Sequence, residues 1–112
     1  MSNLKNHVTL CGRVGNDVQV RSFDSGSKNA TFSLATNEHY LDKNNVKVEN
    51  TLWHNVVVWG KPVDNIEKFV KKGQEMSISG RLNYRSFEVN GEKRFITEIL
   101  LDSFLLHGSK ND

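Results

Sequence analysis

The sequence predicts an all-β domain, a small barrel of five strands with one helix between the third and fourth strands. Apolar and polar residues alternate over several short segments, a period typical of half-buried strands. The only proline, Pro62, opens the one segment whose apolar residues recur at helical spacing. The chain has 112 residues, which is enough for one domain with its own core and too few for two.

The alternating segments divide into five strands separated by turn-forming residues. They cover residues 8–14 (resuming at 18–21 after a break), 30–40, 51–59, 76–87 and 95–101. Asn90-Gly91, between the fourth and fifth strands, is a strong hairpin signal.

The helix is predicted from the apolar residues that share one face after Pro62, namely Val63, Ile66, Phe69 and Val70. Lys71 and Lys72 suit the negative end of a helix dipole, and Gly73 is the expected stop. The spacing predicts a helix of about three turns.

This order of elements, with Gly12, Gly15, Gly60 and Gly80 at the expected bends, predicts a five-stranded Greek-key barrel of the OB type. A five-stranded sandwich and an SH3-like barrel are the alternatives, and the position of the helix favours the OB barrel. We expect the domain to cover residues 1–108 and a short tail to cover 109–112.

Composition narrows the class of protein. We expect no membrane association, because no apolar run approaches the ~18 residues that a span requires, and no secretory signal, because the first residues lack an apolar segment. The lone cysteine, Cys11, is typical of a reducing compartment such as the cytoplasm. The net charge is only +2, but basic residues exceed acidic ones by three between residues 61 and 94.

The sequence contains no recognisable catalytic or metal-binding motif. It has no glycine-rich phosphate loop and no nucleophile elbow. The four histidines, His7, His39, His54 and His107, are scattered, and one cysteine cannot form a zinc site. We therefore predict a protein that is not an enzyme and binds neither a cofactor nor a metal.

The third strand carries both tryptophans on one face, because Trp53 and Trp59 are an even number of residues apart. The opposite face carries Leu52, His54, Val56 and Val58. If the aliphatic face lines the barrel, both indoles lie outside; if the tryptophans form the core, His54 points to solvent. Alternation alone leaves both interpretations open.

Other aromatic residues lie near strand ends, with basic residues close in sequence. Tyr40 precedes Lys43, Lys61 follows Trp59, and Phe87 follows Arg81 and Arg85. Exposed rings on which bases stack, together with cations that follow the phosphates, are what a single-stranded nucleic acid requires.

The chain resembles the bacterial and mitochondrial single-stranded DNA-binding protein (SSB) family over nearly its whole length. The matching segments are NHVTLCGRVG (6–15), DVQVR (17–21), FSLATNE (32–38), TLWHNVVVWGK (51–61), VKKG (70–73) and ISGRL (78–82). The resemblance implies an OB fold, a homotetramer and binding of single-stranded DNA without sequence preference, in replication, recombination and repair.

By position, the resemblance implies a role for individual residues. Base stacking falls on Tyr40, Trp53, Trp59 and Phe87. Phosphate contacts fall on Arg13, Arg21, Lys43, Lys61, Lys72, Arg81 and Arg85. His54 matches a subunit-interface position, which makes the tryptophan face the DNA face.

One departure from the family concerns protein partners. Bacterial members typically continue into a flexible linker and an acidic tip that recruits replication and repair enzymes, whereas this sequence stops at Asp112. We therefore do not expect recruitment through such a tip.

The alternative function is an OB-fold interaction adaptor of the replication machinery with reduced DNA binding.

Overall fold

The computed structural model describes residues 5–108 as six strands and one helix. These are β1 (Val8–Val14), β2 (Gln19–Ser22), β3 (Lys28–Leu41), β4 (Lys47–Trp59), α1 (Pro62–Phe69), β5 (Glu75–Val89) and β6 (Glu92–His107). β1 and β2 are the two parts of the predicted first strand. The predicted tail, 109–112, lies outside the described residues.

The strands close into a five-stranded barrel. Neighbours follow the order β1-β5-β6-β4-β3, and β1 also pairs with β3 to complete the circle, while β2 extends the sheet beside β3. All pairings are antiparallel except that between β4 and β6. This Greek-key arrangement, with the helix in the crossover from β4 to β5, confirms the predicted OB barrel.

The barrel interior is filled by aliphatic side chains. Val56 and Val58 of β4 are fully buried, together with Leu34, Met76 and Ile78 from neighbouring strands. Burial of aliphatic side chains supplies most of the stability of such a core. The aliphatic face of β4 therefore lines the barrel, and both tryptophans lie outside it.

The helix is shorter than predicted. It ends at Phe69, because Val70 adopts an extended conformation, so the helix has 8 residues and little more than two turns. Val63 and Ile66 are buried against the barrel core. Lys71 and Lys72 lie beyond the helix, and Gly73 occupies a separate turn with a φ of 90°.

Two hairpins are longer than predicted. β3 and β4 pair without interruption from Asn29–Trp59 to Leu41–Lys47. β5 and β6 pair as far as Val89 and Glu92, around a turn in which Asn90 and Gly91 both have positive φ. Two consecutive positive φ values define the type I′ turn that Asn-Gly predicts. No helix within 5–108 is long and apolar enough to span a membrane.

Candidate nucleic-acid interface

A groove of about 600 Å³ crosses the outer surface of the barrel. Its walls come from β2, β3, β4, β5 and β6 and from the two segments that flank β2. The side chains that line it are Asn16, Gln19, Arg21, Phe23, Asn29, Thr31, Phe32, Ser33, Asn55, Val56, Val57, Trp59, Asn83, Arg85, Ile96, Glu98 and Leu100.

Trp59 lines one end of this groove. Its side chain is 49% exposed, and it stacks on Phe23 with ring centroids 5.7 Å apart and an angle of 26° between the planes. Aromatic pairs at such separations attract each other beyond simple burial. The two rings thus form a stack beside the groove, and each is partly exposed.

Trp53 lies on the same face of β4, over the backbone at Gly15. A Cβ on Gly15 would approach Cζ3 of the indole to 2.2 Å, so the ring occupies space that only glycine leaves free. The indole is nevertheless 62% exposed. A large apolar ring held against the backbone and open to solvent is suited to stacking with a base.

A buried carboxylate, that of Glu98 on β6, lies in the groove between Arg85 of β5 and Arg21 of β2. Glu98 is only 4% exposed. Its Oε1 accepts a hydrogen bond from Nε of Arg85 at 3.0 Å, and its Oε2 accepts one from Nδ2 of Asn83 at 3.1 Å. Both carboxylate oxygens are thus engaged, which a buried charge requires, and the Arg85 guanidinium is fixed on the groove wall.

The groove is rich in amides and weakly charged. Five of its lining side chains are amides, two are cations, Arg21 and Arg85, and one is a carboxylate, Glu98. Because Glu98 offsets one arginine, the groove carries a net charge of about +1. Stacking and amide hydrogen bonds therefore dominate its chemistry, with a smaller contribution from charge.

The structure brings Arg21, Trp59 and Arg85 of the predicted site residues together in this groove. Phe87 and Arg81 lie on the same face of β5 as Arg85, because each is an even number of residues from it along an uninterrupted ladder. Trp53 lies on the same face of β4 as Trp59, beyond the groove lining.

Two predicted phosphate contacts lie in a separate cleft of about 410 Å³. Arg13 and Lys72 line it, and Nη1 of Arg13 donates a hydrogen bond to the carbonyl oxygen of Gly73 at 3.1 Å. Lys43, in the loop between β3 and β4, and Lys61, just before α1, are exposed and line neither cavity.

Tyr40 is exposed near the tip of the β3–β4 hairpin. It is paired with Val48, whereas Trp53 is paired with Ala35. Since side chains alternate along an uninterrupted ladder, Tyr40 lies on the face opposite that of the tryptophans.

His54 also lies on the face of β4 opposite the groove. It is half-buried, and its Nε2 is 2.9 Å from Oγ1 of Thr36 on the neighbouring strand. Beside it on this face, Leu52 is exposed.

Sequence reasoning missed Phe23 and Glu98. Phe23 follows Arg21 closely and precedes a turn, so no periodicity marked it, although its aromatic type was a usable signal. Glu98 alternates with the apolar residues of β6, and this alternation indicates a side chain on the outside of the barrel. It does not indicate that the groove buries that side chain. Among residues 5–108, no group of His, Cys, Asp or Glu side chains is arranged to hold a metal ion.

An amide-rich groove with exposed indoles and flanking arginines defines a barrel suited to binding unpaired nucleic acid. The family model described as the single-strand binding protein family matches residues 5–107. The chain belongs to this family.

Individual relatives agree with this assignment. The chain is 39% identical over 108 residues to single-stranded DNA-binding protein 1 of Chlorobaculum tepidum, covering 95% of this chain and 67% of that protein. It is 40% identical over 101 residues to the single-stranded DNA-binding protein of Bacteroides thetaiotaomicron, covering 88% and 63%. The chain thus spans about two thirds of the length of these relatives.

A solved structure, the Plasmodium falciparum SSB in complex with single-stranded DNA, matches the fold with a TM-score of 0.85 at 36% identity. The match covers 92% of this chain and 95% of that one.

Replacing Glu98 by glutamine is expected to lower the free energy of unfolding by about 1.5–3 kcal/mol, because a hydrogen bond to a charged group contributes that much. The amide keeps the shape and supplies only one acceptor for the two donors, Asn83 and Arg85. Urea unfolding measures the loss.

Glu92→Gln is the matched control for this substitution. Glu92 forms an exposed pair with Arg94 at 3.1 Å, so its loss is expected to change stability by no more than about 1 kcal/mol. Equal effects of the two substitutions would contradict a stabilising role for the buried carboxylate.

Proposed function

We propose that this protein binds single-stranded DNA without sequence preference and coats and protects it during replication, recombination and repair. The observation that carries the proposal is the pair of exposed indoles, Trp53 and Trp59, on the groove face of a chain that belongs to the single-strand binding protein family. Every base has a face that can stack, which makes this mode of binding tolerant of sequence. We place this activity in the cytoplasm, at the nucleoid, where an exposed thiol such as that of Cys11 stays reduced.

In this proposal, Trp59 and Trp53 stack on bases along the groove face, and Phe87 extends the stacking surface along β5. Tyr40 joins this path only if the strand passes around the edge of the β3–β4 hairpin, since its side chain lies on the other face.

The phosphates follow cations at the groove and around it. Arg21 and Arg85 bind them at the groove, and Arg81 continues the track along β5. Lys43, Lys61, Lys72 and Arg13 lie outside the groove, so their contacts require a strand that wraps over the surface of the barrel.

We further propose that the protein assembles as a homotetramer through the exposed ends of the β3–β4 and β5–β6 hairpins, on the side of each strand opposite the groove. Leu52, Tyr84 and Phe95 lie on that side of their strands and are exposed, and His54 lies among the residues of that face of β4. Exposed apolar side chains mark association surfaces where they form a contiguous patch, and Tyr84 and Phe95 lie on neighbouring strands. Sedimentation velocity of the free protein should give four times the chain mass, and a monomer would contradict the assembly.

The test of DNA binding is titration with poly-dT at low salt. Both tryptophans are exposed on the groove face, so binding is expected to quench their fluorescence. Absence of quenching, or equally tight binding of duplex DNA, would contradict the proposal.

The salt dependence counts the phosphate contacts. If all seven arginines and lysines named above neutralise phosphates, the plot of log K against log salt should have a slope of about −5 per subunit, at −0.7 for each phosphate. A slope no steeper than about −1.5 would limit the contacts to Arg21 and Arg85 in the groove.

A further inference from the structure

Phe23 holds a fixed position beside the groove. It opens the turn between β2 and β3, where its N–H donates to the carbonyl of Ser27 and its own carbonyl accepts from the N–H of Gly26, both at 2.9 Å. The ring is 43% exposed and stacks on Trp59. These two hydrogen bonds fix the backbone of the turn. The ring therefore keeps its exposed position although Phe23 is not part of the barrel core.

Three further groove residues lie in a row across adjacent strands. Arg21 of β2 is paired with Asn29 of β3, and Asn29 is paired with Trp59 of β4. Directly paired residues project from the same face with Cβ atoms about 5 Å apart. Phe23 and Trp59 therefore supply an aromatic surface, Arg21 a cation and Asn29 an amide within the span of one nucleotide.

Asn29 has an unmet hydrogen-bonding requirement. Its Oδ1 is buried and has no hydrogen-bond partner within residues 5–108. Buried acceptors without a donor are uncommon in proteins, and each requires an explanation. Asn29 lines the groove, and the amino and imino groups on the edges of nucleobases are donors of the kind that would satisfy its oxygen.

We propose that Phe23, Trp59, Arg21 and Asn29 form a binding subsite for one nucleotide of a single strand. The base stacks on the exposed face of Phe23 and extends the Phe23–Trp59 stack, and its phosphate binds the Arg21 guanidinium, which is suited to phosphate oxygens. The Asn29 amide meets the edge of the base. This subsite rests on the proposed function and adds Phe23 and Asn29 to the residues that contact the strand.

The test is the affinity of the whole chain for a fluorescently labelled oligo-dT, measured by anisotropy. Phe23→Ala is expected to weaken binding by about 5- to 140-fold, the range that corresponds to loss of one stacked base. Phe23→Tyr keeps a ring and should bind within about twofold of wild type. Phe69→Ala removes a comparably exposed ring at the end of α1, outside the groove, and should leave the affinity unchanged.

A double variant tests whether the two rings act as one stack. If they do, Phe23→Ala combined with Trp59→Ala will weaken binding by less than the product of the single effects, because neighbouring contacts are not additive. Wild-type affinity in Phe23→Ala, or independent effects in the double variant, would overturn the subsite alone. Failure of the wild-type chain to bind oligo-dT would overturn the proposed function together with the subsite.

Discussion

Replacing both Trp53 and Trp59 by alanine is expected to lower the affinity for oligo-dT by at least about 30-fold, since each stacked base contributes about 1–3 kcal/mol. Both indoles lie largely outside the core, so the folded barrel should survive the loss. Anisotropy of a labelled oligonucleotide measures the affinity, and thermal unfolding confirms that the variant is folded.

The matched control replaces both tryptophans by phenylalanine. Phenylalanine retains a face for stacking, and its affinity should stay within a few-fold of wild type. An alanine variant that is folded and binds as tightly as the wild type would show that the indoles do not contribute to DNA binding. That result would favour the alternative in which the barrel is an interaction adaptor with reduced DNA binding.

Gly80→Ala is expected to cost the barrel at least about 3 kcal/mol of unfolding free energy, the range of severe core disruption. A Cβ at this position would lie 2.2 Å from the carbonyl oxygen of Leu100 and 3.0 Å from its carbonyl carbon. Both are backbone atoms of β6, which is paired with β5 there, so neither can withdraw without breaking the ladder. Urea unfolding followed by circular dichroism gives the loss.

Gly26→Ala separates close approach from backbone strain. Gly26 has a φ of +92°, and nothing lies within 4 Å of a Cβ built there. Alanine at this position meets only the cost of a left-handed conformation, about 1–2 kcal/mol. If Gly26→Ala were as damaging as Gly80→Ala, contact with the Leu100 carbonyl would not explain the requirement for glycine at position 80.

The fold was largely predictable because alternation with period two marks each strand and the single helix distinguishes the OB order from its alternatives. The strand ends were less predictable. The sequence predicts that the fifth strand ends at residue 101, because beyond it the alternation of apolar and polar residues shifts by one position. In the structure, Ser79 is paired with Ser103 and Gly80 with Leu101, so Asp102 is left without a partner in a bulge and β6 continues past it.

The orientation of β4 could not be predicted from its residues alone, because both of its faces carry large apolar side chains. The interior of a five-stranded barrel is narrow and filled by side chains from every strand. Val56 and Val58 fit inside it beside Leu34 and Ile78. The indoles are therefore excluded from the core, a result that depends on the closed geometry rather than on hydrophobicity.

The candidate site was predictable only in part. Trp59, Arg21 and Arg85 were identified through resemblance, and they meet in the groove. Arg13 and Lys72 line a different cleft, because their strand and loop meet at another part of the barrel. The contacts of Phe23 with Trp59 and of Glu98 with Arg85 join residues far apart in sequence, and no local pattern records such contacts.

The closure of the barrel by β1 has a consequence for how the protein folds. Val8 is paired with Gly80, and Arg13 is paired with both Glu75 and Ala35. The first strand therefore cannot complete its pairing until the β5–β6 hairpin has formed. Topologies dominated by such distant pairings fold slowly, typically in milliseconds to seconds. Until β1 is in place, β5 presents an unpaired edge, as does the part of β3 around Leu34 and Ala35, and such edges invite pairing with another chain. A ribosome-bound chain therefore depends on synthesis of β5 and β6 before its first strand is protected from aggregation.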